Sequence, residues 1–362
     1  RARRASVMSR EPAATPESDR FEDAPHPRET LAFFGHAAAE QALLTAYRQD
    51  RMAQAWILGG PEGVGKATLA WRLARFLLAH PDPAAPEVRR AESLFVPGEA
   101  PAARRVAAMA LADVFPLRRS WNEKTKKFFT EIRIDDVREI IHAFHQGSGT
   151  GGWRVAIVDC ADDLNRSSAN ALLKLIEEPP ERSLFLLIAH QPGRLLPTIR
   201  SRCRKLLLGP LAPRDIAQAA RALGGSFAAT PADVIDEAAA HARGSVREAL
   251  RLLDGDAIAF DRTLRAMFER LPQIDWSAVH ALADRLAGRD NEAVYATFMR
   301  ALHRFLDARV KTLAGEGAGR LIGYAVAWEE IGRAARETEV FNFDKKALVL
   351  GIFERLERAA RG

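Results

Sequence analysis

Residues 60–66 have the residue types and spacing of a phosphate-binding loop. Gly60 is followed by four residues, Gly63 among them, and then by Gly65 and Lys66. In such a loop the backbone amides at the start of a helix form a concave positive site for phosphate oxygens. Lys66 would reach the terminal phosphates of a nucleotide. The apolar run before the loop and the helical spacing after it supply the strand and helix that this motif requires.

The position after the lysine lacks the side chain that the chemistry needs. It normally carries Ser or Thr, whose hydroxyl binds the Mg²⁺ of the nucleotide, but here it is Ala67. Thr68 cannot simply replace that hydroxyl, because one step along a helix rotates the side chain by roughly 100°. Two alternatives stay open: an empty loop that requires no cofactor, or one that binds ATP or ADP without hydrolysis.

A second motif lies at the end of an apolar run. Residues 153–158 predict a strand buried on both faces, and the run ends at Asp159. An aspartate in this position holds Mg²⁺ in nucleotide hydrolases. The next residue is Cys160, and a neutral thiol is a poor base for activating water. Asp162 is either a displaced acid or, as the simpler interpretation, a solvated or helix-capping residue.

Apolar runs alternate with helical patterns in the first part of the chain, which predicts an α/β fold with a parallel sheet. The predicted strands and helices are 55–58, 66–79, 132–134 as a strand edge, 136–145, 153–158, 165–178 and 184–189. After residue 210 the periodicity is helical throughout.

The strings that follow these motifs resemble one family closely. Residues 170–180 (NALLKLIEEPP), the strand 184–188 and Ser201-Arg202-Cys203 are similar to the AAA+ clamp-loader subunits of bacterial DNA polymerase III. Phe34-Gly35-His36 fits the same family. The resemblance covers about 30–210 and is weaker beyond. It implies a RecA-like AAA+ P-loop module with a parallel sheet, followed by a small helical lid and an all-α collar domain.

This resemblance predicts four segments along the chain. They are a disordered tail over 1–28, the AAA+ module over 29–209, the lid over 210–263 and the collar, which would oligomerise the subunit, over 264–362.

Within the family, this chain lacks three parts of a hydrolysing subunit. They are the hydroxyl at Ala67, the acid at Cys160 and a polar sensor at Ala189-His190. The resemblance therefore implies a stator that does not hydrolyse ATP. Arg202 would act in trans as an arginine finger on the γ-phosphate bound by a neighbouring subunit. The alternative is that Arg202 makes a local salt bridge at the start of a strand.

Residues 244–250 resemble the start of the family's sensor 2 helix. By that resemblance, Arg247 would point at a bound nucleotide. Ser245 is also a candidate N-cap, with Glu248 three residues later completing a capping box.

The implied partners are the tau/gamma ATPase subunits and the delta subunit, with the sliding clamp and primed DNA reached through the complex. An active tau/gamma-like ATPase is the alternative function. A third hypothesis is a DNA-binding protein that uses the basic, aromatic region 118–130. The net charge of +6 and pI near 9.6 permit an acidic partner.

The cysteine and histidine patterns predict no metal site. The two cysteines, Cys160 and Cys203, exclude a four-cysteine zinc module and fit a reducing cytoplasm. His142, His145 and His190 do not form a set with metal-ligand spacing. No apolar window is long enough to predict a transmembrane helix.

Overall fold

The computed structural model describes most of the chain, and the chain divides into two compact units, Arg1–Leu250 and Arg251–Gly362. The described residues are 15–21, 24–110, 113–145, 152–288, 291–314 and 318–361. No helix within these ranges combines the length and the apolar character needed to cross a membrane.

The first unit contains a five-stranded parallel sheet in the order β2-β5-β6-β1-β7. Its strands are β1 Ala55–Gly59, β2 Val114–Leu117, β5 Arg154–Asp159, β6 Ser183–Ala189 and β7 Arg204–Leu207. A separate two-stranded hairpin consists of β3 Trp121–Asn122 and β4 Lys127–Phe128. The predicted α/β class is confirmed. The apolar runs of β1 and β6 are buried along their whole length, as expected of central strands with helices on both faces.

Helices cover the sheet and continue after it. Those of the first unit are α1 Ala37–Arg48, α2 Lys66–Ala79, α3 Pro86–Arg90, α4 Pro101–Ala107, α5 Ile134–His145, α6 Arg166–Glu177, α7 Pro197–Arg202, α8 Pro213–Ala222, α9 Gly225–Ala229, α10 Ala232–His241 and α11 Val246–Leu253, whose last turn crosses the division. Those of the second unit are α12 Ala257–Glu269, α13 Trp276–Ala287, α14 Glu292–Leu313, α15 Ala318–Phe341 and α16 Lys345–Arg361.

The two edge strands were not among the predicted strands. β2 contains Pro116, and a proline within an apolar run argues against a central strand. At an edge the missing amide donor costs nothing, because β2 pairs on one side alone, with β5.

The compact units divide the predicted lid. Helices α8 to α10 and the first part of α11 belong to the first unit with the sheet, whereas residues 251–263 of the lid predicted over 210–263 belong to the second unit. The second unit has its own apolar core, formed by buried side chains such as Phe268, Phe298 and Phe353. The boundaries 29–209 and 264–362 stay predictions.

The N-terminal residues depart from the predicted disordered tail over 1–28. Residues 15–21 and 24–30, which we call the N-terminal strap, pack on the first unit; residues 1–14 lie outside the described ranges. His26 is fully buried and its Nε2 lies 3.1 Å from Asp19 Oδ2. Arg28 Nη1 donates to Glu17 Oε1 at 2.8 Å. The sequence did not predict this packing, because the strap has no regular periodicity and is held by contacts with residues distant in the chain.

Burial alone would raise the pKa of Glu17, but hydrogen bonds and charges from Arg28 and Arg118 outweigh it and hold that pKa at about 2. The unperturbed pKa is 4.5. The depressed value stabilises the folded chain fully above pH 4.5, and this contribution is lost as the pH falls towards 2.

We therefore expect Glu17→Gln to lower the free energy of unfolding by about 1–3 kcal/mol at pH 7. The difference from the wild type should shrink between about pH 4.5 and 2. Urea unfolding at several pH values measures both. Glu123→Gln removes an exposed pair with Lys126 and serves as the control. Equal free energies of unfolding for the wild type and Glu17→Gln at pH 7 would show that the strap is not bound to the first unit.

Candidate functional site

The phosphate loop connects β1 to α2 at the carboxyl edge of the sheet. Gly60 N donates to Ala189 O at 3.1 Å, and Leu208 N donates to Gly59 O at 2.8 Å, so both neighbouring strands hold the start of the loop. A Cβ atom at Gly60 would lie 2.1 Å from Leu208 O. Glycine is required here because the backbone of another segment passes directly against it.

Lys66 is turned onto its own loop. Its Nζ donates to Gly60 O at 2.6 Å and to Pro61 O at 2.5 Å, and the residue is 3% exposed. Desolvation lowers the pKa of Lys66, although the charges of Cys160 and Asp159 oppose this. The ammonium group therefore has protein acceptors, and it must give them up before it can bind a phosphate.

The residues after Lys66 continue α2 and supply no metal ligand. Ala67 packs against the apolar cluster of the first unit, and Thr68 is half-buried one position further along the helix. Gly65 precedes α2 with a left-handed φ of 99°. The loop thus has the predicted backbone form without the hydroxyl that holds Mg²⁺.

Asp159 lies at the end of β5, as the sequence predicts. Desolvation raises the pKa of its carboxyl to about 7, and the nearby charge of Asp19 adds to the rise. A carboxyl that is partly protonated at neutral pH is a weaker ligand for a divalent cation than an ionised one.

Cys160, Asp162 and His190 form a cluster that sequence spacing did not reveal. One donor atom from each lies within 4.8 Å of the others. Asp162 Oδ2 accepts from His190 N at 2.6 Å and from Cys160 Sγ at 2.7 Å, and Asp162 Oδ1 accepts from Gln191 N at 2.9 Å. Burial and Asp162 raise the pKa of the Cys160 thiol far above its usual range. Asp162 thus connects the segment after β5 to the end of β6, and its role as an acid stays a prediction.

The lid helix α11 closes directly onto the loop. Val246 N donates to Gly63 O at 2.9 Å. Arg247 Nη1 lies 3.0 Å from Glu62 Oε1, so the predicted sensor arginine pairs with the phosphate loop itself. Ser245 Oγ accepts from Glu248 N at 3.2 Å, which confirms the predicted N-cap. The loop and the lid are therefore joined by direct contacts.

Arg202 lies apart from these residues, at the end of α7. Its Nε lies 2.7 Å from Glu177 Oε1, and its Nη1 donates to Thr198 O at 3.2 Å. The side chain is nevertheless 43% exposed. The isolated chain therefore shows the local salt bridge, and an exposed pair of this kind costs at most about 1 kcal/mol to break.

The basic region 118–130 directs its aromatic side chains onto its own chain. Trp121 and Phe128 meet edge to face with ring centroids 5.0 Å apart, and Arg133 lies over Phe129 at 4.3 Å. Lys126 pairs with Glu123. These contacts favour a packed insertion over a stacking surface for bases.

Several known proteins have sequences similar to this chain. Residues 35–212 match the family described as DNA polymerase III, delta subunit. DNA polymerase III subunit delta' of Pseudomonas aeruginosa is 37% identical over 55% of this chain and 56% of its own length. The delta' subunit of Escherichia coli is 29% identical over 67% of each chain. DNA polymerase III subunit tau of E. coli is 26% identical over 76% of this chain and 41% of its own. The match spans about half of the Pseudomonas relative.

The contact between the phosphate loop and the lid predicts a large loss of stability when Gly63 is replaced. Its φ is +77°, and a Cβ atom there would lie 2.2 Å from Ser245 Oγ and 2.7 Å from Arg247 Cβ. We expect Gly63→Ala to reduce the free energy of unfolding by about 1–3 kcal/mol, since it adds backbone strain and separates the lid from the loop. Denaturant unfolding measures it. Gly224→Ala is the matched control, because Gly224 has a similar φ of +75° and a Cβ atom there meets nothing within 4 Å. Equal losses of unfolding free energy in both variants would contradict a contact between the loop and the lid at Gly63.

Proposed function

We propose that this chain, a homologue of bacterial DNA polymerase III delta' subunits, is a clamp-loader stator that does not hydrolyse ATP and lends an arginine to a neighbouring ATPase. The observation that carries the proposal is the pairing of Lys66 with the carbonyls of its own loop, next to Ala67 and Cys160. A site with no metal hydroxyl, no water-activating acid and an occupied lysine lacks what hydrolysis requires.

Arg202 supplies the part of the chemistry that this chain retains. A guanidinium group offsets the charge that develops on the transferred phosphoryl group, and it acts without being the nucleotide-binding residue of its own subunit. Arg202 is exposed and is held by Glu177 through a bridge that is cheap to break. Its position away from the phosphate loop suits an arginine that serves the ATP of an adjacent subunit.

The remaining parts of the proposal follow from this role. The partners are tau/gamma ATPase subunits and a delta subunit, and the sliding clamp and primed DNA are engaged through the assembly in the cytoplasm. No cofactor is required for the stator role, and ATP or ADP would be held without turnover. The delta' subunit of Pseudomonas aeruginosa is 37% identical to this chain, compared with 26% for tau of E. coli and 30% for gamma/tau of Mycobacterium tuberculosis, and this difference favours the delta'-like role over an active ATPase.

We expect the isolated chain to turn over ATP no faster than its Lys66→Ala variant. The comparison isolates loop-dependent hydrolysis from background and contaminating activity. Release of phosphate under steady-state conditions with Mg²⁺ measures it. Turnover that depends on Lys66 would favour the tau/gamma-like alternative.

Arg202→Ala should leave assembly with the tau/gamma and delta subunits intact. It should lower the clamp- and primer-dependent ATPase of the complex by about tenfold, because one source of transition-state charge compensation is lost. Size-exclusion chromatography checks assembly, and phosphate release measures the ATPase.

Two variants separate the finger from the local salt bridge. Glu177→Gln breaks the same bridge but keeps the guanidinium, so the ATPase should stay near the wild-type rate. Arg138→Ala removes another exposed arginine that pairs with an acid, Asp135, and should have no effect. If Glu177→Gln reproduces the loss, or if the assembled Arg202→Ala complex hydrolyses ATP normally, Arg202 is not a finger.

A further inference from the structure

The N-terminal strap is anchored on the helix that follows the phosphate loop. Arg75 of α2, which is 2% exposed, donates from Nη1 to Arg28 O at 2.9 Å and from Nη2 to Thr30 O at 2.6 Å. The His26 ring meets the buried Trp71 ring edge to face at 5.8 Å. These buried contacts fix one end of the strap against α2.

The other end of the strap reaches the carboxyl edge of the sheet. Arg118 follows β2 directly, and the register pairs Leu117 with Val158, so Arg118 stands beside Asp159. Arg118 Nη1 donates to Asp19 Oδ1 at 2.7 Å, and Arg118 Nη2 donates to Glu17 Oε1 at 2.7 Å. Glu17 and Asp19 therefore lie at the carboxyl edge of the sheet beside β2, which β5 and β6 separate from β1 and its phosphate loop.

The strap also covers the sensor arginine. The guanidinium carbon of Arg247 lies 5.5 Å from the centroid of the Phe21 ring, while Arg247 Nη1 pairs with Glu62. Arg247 Nε is buried without a hydrogen-bond partner among the described residues. Phe21 and Glu62 thus hold the Arg247 guanidinium, which a phosphate would otherwise attract.

We propose that the N-terminal strap closes the phosphate-loop cleft in place of a nucleotide, so that a nucleoside di- or triphosphate binds only after Phe21 and Asp19 have moved away. The reason is electrostatic and steric. Asp19 lies near enough to Asp159 for its charge to act on that carboxyl, and Phe21 covers the cation that would bind a phosphate. The inference goes beyond the stator role, since it concerns what regulates occupancy of the chain's own site.

The apparent dissociation constant for a bound nucleotide then includes the cost of releasing the strap. Deleting residues 1–21 should tighten binding of a fluorescent ADP analogue by about tenfold or more. Phe21→Ala, which keeps the ion pairs of Glu17 and Asp19, should tighten it by about threefold. Fluorescence titration of the purified chain measures both.

A matched control tests the specificity of the Phe21 effect. Phe95 makes the same kind of contact with Arg72, at the same 5.5 Å, away from the phosphate loop. Phe95→Ala should leave the affinity for the analogue unchanged. Adding Lys66→Ala to the deletion variant should abolish the gained binding, which would place the nucleotide at the loop.

The proposal is overturned if neither the deletion nor Phe21→Ala tightens binding, if Phe95→Ala tightens it equally, or if the gained binding survives Lys66→Ala. If the deletion variant fails to fold, the affinity of the Phe21→Ala variant for the ADP analogue tests the proposal by itself. Hydrogen exchange gives an independent check: saturating ADP should raise exchange at residues 15–21 of the wild type, and unchanged exchange there would contradict displacement. Binding is measured on the isolated chain and the Arg202 test on the assembly, so either idea can fail without the other.

Discussion

The close approach of the phosphate loop to the lid is the constraint on which the rest of the site depends. At Gly63 the loop carbonyl accepts from Val246 N, and the absence of a side chain lets Ser245 and Arg247 pack against the backbone. A residue with a Cβ atom would push the lid away. Because the lid meets the loop here, Arg247 pairs with Glu62 and becomes available to the Phe21 ring.

Both charged residues of the loop, Glu62 and Lys66, have protein partners. Lys66 donates to two loop carbonyls, and Arg247 lies between an acid and an aromatic ring. A buried ammonium or guanidinium without partners would cost free energy, so this arrangement stabilises the folded chain in the absence of a ligand. The phosphate loop and the lid thus form one packed structural element within the first unit.

Much of the fold could be predicted because its signals are local. The apolar runs of β1, β5 and β6 and the glycines of the loop indicated a parallel sheet with a phosphate-loop turn, and the Ser245 cap was readable from adjacent residues. The edge strand β2 escaped notice because Pro116 contradicts the usual strand pattern. The Asp162 cluster escaped because its partners, including His190, are distant in sequence.

The sequence by itself determined which chemical groups are present: the loop lysine, Asp159, Arg202, and the losses at Ala67 and Cys160. Residue identity and short-range spacing suffice for these. Tertiary structure alone decided what each group contacts. Folding turned Lys66 onto its own loop and brought a strap without periodicity over Arg247. Such contacts join segments far apart in the chain, and they depend on burial and charge compensation, which no local pattern encodes.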